Sequence, residues 1–142
     1  MISVFGCSVG EEEKEIVNKA IDSQWLGLGS QVDEFEKEIK QKFSIDNFIM
    51  VDSGSNALFM AIKLLDLPLG TEIILPSFTW VSCAQAVLLA GCKPVFCDVD
   101  LSTMNVTKEL VKEKLTKNTG AIMIVHYAGL PVKMDEIQEL GF

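Results

Sequence analysis

Apolar positions near the start of the chain recur at helical spacing. Over residues 10–23, Ile16, Val17, Ala20 and Ile21 share one stripe behind an acidic first turn, Glu11 to Glu13, which predicts a helix. Trp25-Leu26-Gly27-Leu28-Gly29-Ser30 breaks it. A second helix then puts Val32, Phe35, Ile39 and Phe43 on one face and leaves Asp33, Glu34, Glu36, Lys37, Glu38 and Lys40 to solvent. From Phe48 the pattern changes. Short continuous apolar runs at 48–51, 72–75, 94–99 and 121–125 predict four strands. Helical stripes alternate with them: Ala57, Leu58, Ala61, Ile62 and Leu65; then Val81, Ala84, Val87 and Leu88 from about Thr79; then Leu110, Val111 and Leu115 from about Thr107. Gly91 suits the position just past the second of these helices, and residues 133–140 begin one more.

Strands that are apolar throughout are buried on both faces. Strict alternation of strand and helix then predicts an α/β fold of three αβα layers, with helices on both sides of a mainly parallel sheet. Residues 1–46 read as a helical N-terminal segment and 47–142 as βα repeats. The chain stops at Leu140-Gly141-Phe142 just as a helix has begun, which reads as an interrupted domain.

Composition narrows the chemistry. The 142 residues carry 12 cations against 20 carboxylates, a net charge of −8, and 49% of them are hydrophobic. A chain of this length supports one substantial core. Its acidity argues against a nucleic-acid groove or an anionic membrane as partner. All 12 cations are lysines, so the rigid fork that grips carboxylate or phosphate bidentately is missing. Any anion site must use backbone amides, hydroxyls or lysine. Cys7, Cys83, Cys92 and Cys97 form no C-x-x-C pair, and His126 alone cannot complete a zinc set, so no metal site is expected and buried reduced thiols are. The N-terminus lacks a basic segment and a sustained apolar one, so it reads as no secretory signal, and no apolar run is long enough to span a membrane. The expectation is a cytoplasmic protein.

Ligands of such sheets bind beyond the C-terminal ends of the strands, where four loops fall: 52–56, 76–80, 98–104 and 126–131. Asp52-Ser53-Gly54-Ser55-Asn56 runs straight into a helix, so free amides, the positive end of the helix dipole and two hydroxyls make a phosphate cradle without arginine. The dipole contributes only ~0.3–1 kcal/mol, so hydrogen bonds must do most of the holding. The motif is neither Gly-x-x-x-x-Gly-Lys-[ST] nor Gly-x-Gly-x-x-Gly, and on spacing alone a plain Ser or Asn helix cap with a glycine turn is the favoured account. Trp80 could lay its face on a flat ring, or cover the sheet end as a core residue. His126 could hydrogen-bond a ligand or be a satisfied buried histidine; Asp98 and Asp100 read as capping or turning the third loop.

Four ordered segments carry a family resemblance. Trp25-Leu26-Gly27-Leu28-Gly29-Ser30 with Ser53-Gly54-Ser55-Asn56-Ala57-Leu58, then Gly70 to Trp80, Gly91 to Asp100, and Val125-His126-Tyr127-Ala128-Gly129-Leu130-Pro131 resemble the DegT/DnrJ-type sugar aminotransferases in order and spacing. The resemblance runs from about Gly10 to Ile137 and implies part of the large domain of a fold-type I pyridoxal-phosphate (PLP) transferase, with the small C-terminal domain absent. The implied activity is amination of a keto sugar on a nucleotide carrier, with glutamate the usual donor, in amino-sugar and polysaccharide biosynthesis. The Thr-Trp and His-Tyr-Ala-Gly versions are most similar to the enzyme that makes 4-amino-4-deoxyarabinose for lipid A. By position, Ser55 and the Asn56 backbone, beside Gly54, would hold the cofactor phosphate, and Trp80 would stack on the pyridine ring. His126 is a candidate substrate contact. Asn56 departs from the small residue usual there. The resemblance also implies a homodimer, to which the loop from Trp25 to Ser30 could lend residues, although an interhelix turn explains that loop as well.

Transamination needs a Schiff-base lysine in a desolvated site and a carboxylate on the pyridinium nitrogen. Lys14, Lys19, Lys37, Lys40, Lys42, Lys108, Lys112 and Lys114 fall on charged helix faces, Lys63 is mid-helix, Lys93 is at the wrong strand end, and Lys117 and Lys133 flank turns. No catalytic residue is therefore assigned; the lysine and the aspartate are expected beyond Phe142, and the isolated chain is expected to be inactive. A sugar 3-dehydratase, with histidine in place of that lysine, and a non-catalytic phosphate-binding α/β domain are the alternatives.

Overall fold

The computed structural model describes residues 6–142, so Met1 to Phe5, at the end read above as no secretory signal, lie outside the described residues. The chain divides into two compact units, residues 1–50 and 51–142.

The first unit holds α1 (Glu11–Asp22) and α2 (Ser30–Phe43). The Glu13 carboxylate reaches back 2.6 Å to accept from the Gly10 amide at the head of α1, and that hydrogen bond holds its pKa below the usual carboxylate value. Helix α2 ends on Ser44 in the left-handed conformation. Neither helix has a fully buried residue; the predicted apolar stripes are only partly covered among the described residues, Val32 and Ile39 being half-buried and the Phe35 and Phe48 ring centroids 6.3 Å apart. The Trp25 indole folds onto its own loop, donating to the Leu28 carbonyl at 2.7 Å. Residues 48–51, predicted as the first strand, form none. A strand requires a neighbour to take its amides, whereas the Met50 amide donates to the Glu36 carboxylate at 2.7 Å and Ile49 is 63% exposed.

The second unit contains α3 (Gly54–Leu64), β1 (Glu72–Pro76), α4 (Val81–Leu89), β2 (Lys93–Cys97), α5 (Lys108–Lys114), β3 (Thr119–Ile122) and α6 (Met134–Gln138). The sheet is parallel, ordered β2-β1-β3. The path leaves β1 for β2 on one side and returns past β1 to β3, so a single crossover hand sends successive helices to opposite faces. On one face Ile73 packs with Ile62 of α3 and Ala86 and Val87 of α4; on the other Ile74 packs with Val111 of α5 and Ile137 of α6. These are the predicted three layers. Burying Ile73, Ile74 and Leu75 contributes ~1.5–3 kcal/mol each. Only β1 is buried along its whole length; β2 and β3 are the sheet's edges and are partly open.

Local devices set the boundaries. Ser53 caps α3 and Thr107 caps α5, each hydroxyl accepting an amide three residues on. Gly91 follows the α4 C-cap with φ +81, a conformation only glycine takes without strain. Strand β3 starts two residues earlier than predicted and stops at Ile122. Its register against β1 jumps from Glu72↔Thr119 to Ile73↔Ala121, which leaves Gly120 as the extra residue of a bulge. Cys83, Cys92 and Cys97 are buried free thiols, as expected, and Cys7 is exposed. Among the described residues, no helix is long and apolar enough to cross a membrane and no group of side chains could hold a metal.

Candidate functional site

Because all three strands run parallel, their C-terminal ends share one edge, from which the loops after β1, β2 and β3 emerge. Each loop is tied down by groups that the local sequence supplies. Ser77 donates its amide to the Cys97 carbonyl at 2.7 Å, joining the first two loops. Asp98 accepts the Val99 amide at 2.8 Å, and Asp100 accepts the Ser102 and Thr103 amides at 2.9 and 3.2 Å, so both aspartates shape the loop as expected. The Ser102 hydroxyl, followed by those amides, keeps the Asp100 carboxyl below its usual range.

The loop after β3 is held by a residue that sequence reasoning missed. Asn105 is 4% exposed; its Oδ1 accepts the Tyr127 amide at 3.1 Å and its Nδ2 donates to the Leu130 carbonyl at 2.9 Å. Both ends of the short 3-10 turn Tyr127–Gly129 are thereby bracketed. The Tyr127 ring packs on Phe78 with centroids 4.8 Å apart, linking this loop to the one after β1. His126 is exposed rather than buried, and its Nδ1 accepts the Val132 amide at 3.0 Å, so a neutral ring carries its hydrogen on Nε2. A lone Asn between Met104 and Val106 gives no signal in sequence, because its partners lie 22 and 25 residues away.

The predicted cradle and platform meet. Gly54, Ser55 and Trp80 line one open cleft of about 690 Å³, with Ala57, Leu58, Ala61 and Ser82. Asn56 and His126 do not line it. Trp80, at the N-cap of α4, is 75% exposed, so it is no core residue covering the sheet end. Gly54 and Ser55 occupy the first turn of α3, where backbone amides have no helical acceptor. The Asn56 amide donates to the Ser53 hydroxyl at 3.3 Å, and the Asn56 side chain donates to Asp52 at 2.6 Å. The Ser55 and Ser82 hydroxyl oxygens lie 2.8 Å apart. Ser82, also missed, left only the trace of a small polar residue on a mostly apolar helix.

No lysine lines this cleft. Lys93 sits at the opposite, N-terminal edge of the sheet, paired with Glu72 at 2.9 Å. Glu72 also accepts from the Thr116 hydroxyl at 2.5 Å; that bond first, and Lys93 second, hold its pKa below the usual value. A second cleft of about 280 Å³ includes Lys108 and Lys133, which are already paired with Glu139 and Glu136. A site for an anion joined to a flat ring is therefore best formed by the α3 and α4 N-termini: amides and a hydroxyl at one end, an indole face at the other.

Comparison with known proteins bears on which anion and ring. Residues 8–141 match the DegT/DnrJ/EryC1/StrS aminotransferase family. The chain is 35% identical over 141 residues to a dTDP-4-dehydro-2,3,6-trideoxy-D-glucose 4-aminotransferase of Saccharopolyspora spinosa, covering 98% of this chain and 37% of that protein. Among solved structures it is similar to the aminotransferase TlmJ of Streptoalloteichus hindustanus, with TM-score 0.89 and 37% identity over 99% of this chain and 39% of that one. It is also similar to the E. coli GDP-4-keto-6-deoxy-D-mannose-3-dehydratase solved with bound hydrated PLP, with TM-score 0.87 and 29% identity over 95% of this chain and 36% of that one. The chain thus spans little more than a third of the length of these relatives.

Proposed function

The chain belongs to the DegT/DnrJ/EryC1/StrS aminotransferase family, and from that premise we propose that it is the N-terminal part of the large domain of a PLP-dependent enzyme that aminates a keto sugar on a nucleotide carrier. The observation carrying this reading is the meeting of Gly54, Ser55 and Trp80 on one open cleft. That donor set fits a phosphate ester on a flat heteroaromatic ring. The Gly54 and Ser55 amides and the Ser55 hydroxyl would donate to the phosphate, with the Asn56 backbone beside them, and the dipole of α3 would favour its charge. Trp80 offers its face to the ring. When bound, PLP supplies an electron sink that stabilises negative charge at the substrate carbon.

The reaction also needs a basic amine at that carbon to move a proton. None of the lysines is buried, and none lines the cleft. The chain by itself therefore binds the cofactor without transaminating, and the missing lysine and aspartate belong to the remainder of the enzyme, with its small domain. Glutamate as donor, a homodimer and a cytoplasmic setting complete the reading, with His126, exposed in the loop after β3, as the candidate substrate contact. Amination is favoured over 3-dehydration because the relatives at 35 and 37% identity carry the name aminotransferase, while the dehydratase stands at 29%.

The test is a titration of the Trp25→Phe variant, in which Trp80 is the sole tryptophan. Pyridoxamine 5′-phosphate, which cannot condense with surface lysines, should quench its fluorescence saturably. Unchanged emission overturns the cofactor assignment and leaves a different phosphate ligand. Borohydride treatment with PLP, read by peptide mass spectrometry, checks the incompleteness: one preferentially labelled lysine would refute it.

A further inference from the structure

We propose that Ser82 is a positioning residue that fixes the polarity of the Ser55 hydroxyl toward the ligand phosphate; this rests on the cofactor reading above. Ser55 and Ser82 stand at the second positions of α3 and α4, and their oxygens are 2.8 Å apart. The two are unequal. Ser55 is exposed on the cleft, whereas Ser82 is 6% exposed and has Ser55 as its side-chain hydrogen-bond partner. Ser82 is the more buried of the two and Ser55 the one open to the cleft, so in this proposal Ser82 donates and Ser55 accepts. That orientation leaves the Ser55 hydrogen free.

The direction matters because a phosphate dianion only accepts. A Ser55 hydroxyl that spent its hydrogen on Ser82 would present lone pairs to the anion and repel it. With Ser82 donating, the chain runs from Ser82 to Ser55 to phosphate, each bond polarising the next. Ser82 also lies two residues after Trp80 on the same helix. It therefore couples the phosphate end of the cleft to the helix that carries the ring platform.

The experiment compares wild type, Ser82→Ala, Ser82→Thr, Ser55→Ala and the double alanine variant, using calorimetric titration with pyridoxamine 5′-phosphate and phosphorus NMR of the bound ligand against pH. Loss of one hydrogen bond should weaken binding roughly 3- to 10-fold in Ser82→Ala. It should also raise the pH midpoint of the bound phosphate, which ionises near pH 6 when free. Ser82→Thr keeps the hydroxyl and should restore both readouts. The double variant should lose no more than Ser55→Ala alone, because Ser82 acts only through Ser55. Wild-type affinity and midpoint in Ser82→Ala would overturn the proposal while leaving the cofactor reading intact, as would additive losses in the double variant. An affinity loss with an unmoved phosphate midpoint would make Ser82 a structural link between helices and equally overturn it. Failure of wild type to bind overturns the cofactor reading and this inference with it. Should Ser82→Ala fail to fold, Ser82→Cys, which keeps the volume but donates weakly, takes its place with the same expectations.

Discussion

Replacing Asn105 with alanine tests whether the candidate site's loops are fastened as described. The substitution removes two hydrogen bonds at once, orphaning the Tyr127 amide and the Leu130 carbonyl. A buried group left without a partner costs ~1–3 kcal/mol, so two fully buried orphans would cost roughly 2–6 kcal/mol. Tyr127 and Leu130 are themselves exposed, so water can reach part of the turn and the low end applies, about 2 kcal/mol. With a urea dependence of ~1–3 kcal/mol per M, the unfolding midpoint by circular dichroism should fall by roughly 1 M. Hydrogen exchange should accelerate most at Tyr127. Asn105→Asp sharpens the test. It keeps an acceptor for Tyr127 but turns a carboxylate oxygen on the Leu130 carbonyl, so near neutral pH it should be at least as damaging as alanine. Acidification that protonates the carboxyl supplies a new donor, and part of the stability gap to wild type should close. An alanine variant whose midpoint and Tyr127 exchange match wild type would refute the bracketing role.

Three further outcomes are expected. Glu72 has its folded pKa lowered by Thr116 and Lys93, so it stabilises the fold above its ordinary pKa and loses that contribution as pH falls through the lowered value; the acid limb of stability should flatten in Glu72→Gln, and an unchanged limb in pH-dependent urea melts would contradict this. Burial pushes the Cys97 thiol up to about 11, so the unfolded chain ionises first and Cys97's contribution declines from about pH 9 to about pH 11; at neutral pH a thiol reagent should modify Cys7 quickly and the three buried thiols only on unfolding, and rapid labelling of Cys97 would count against the core described. Gly91→Ala should destabilise by about 1–2 kcal/mol, since it forces a side chain into φ +81 and toward Leu69; an unaltered melting temperature would show that the turn can relax.

The sequence by itself determined which segments are helices and strands wherever the pattern was strong, the parallel three-layer class, and the candidacy of Ser55 and Trp80, which the fold brings to one cleft. These follow from local causes: apolar period, Ser53 and Thr107 as caps, and glycine at position 91. Tertiary structure decided the rest, because it depended on partners distant in the chain. Residues 48–51 are apolar enough for a strand, yet a strand exists only when a neighbour takes its amides, and Glu36 takes that of Met50. The burial of β2 and β3 depended on their being edges, which no residue within them encodes. Trp80 could have been core or surface until the packing of α4 left it exposed on the cleft. Asn105 had no local signature, and Ser82 only that of a small polar residue in a mostly apolar helix. Their roles arise from hydrogen bonds across 22 to 27 residues of chain, and only the fold brings those groups within reach.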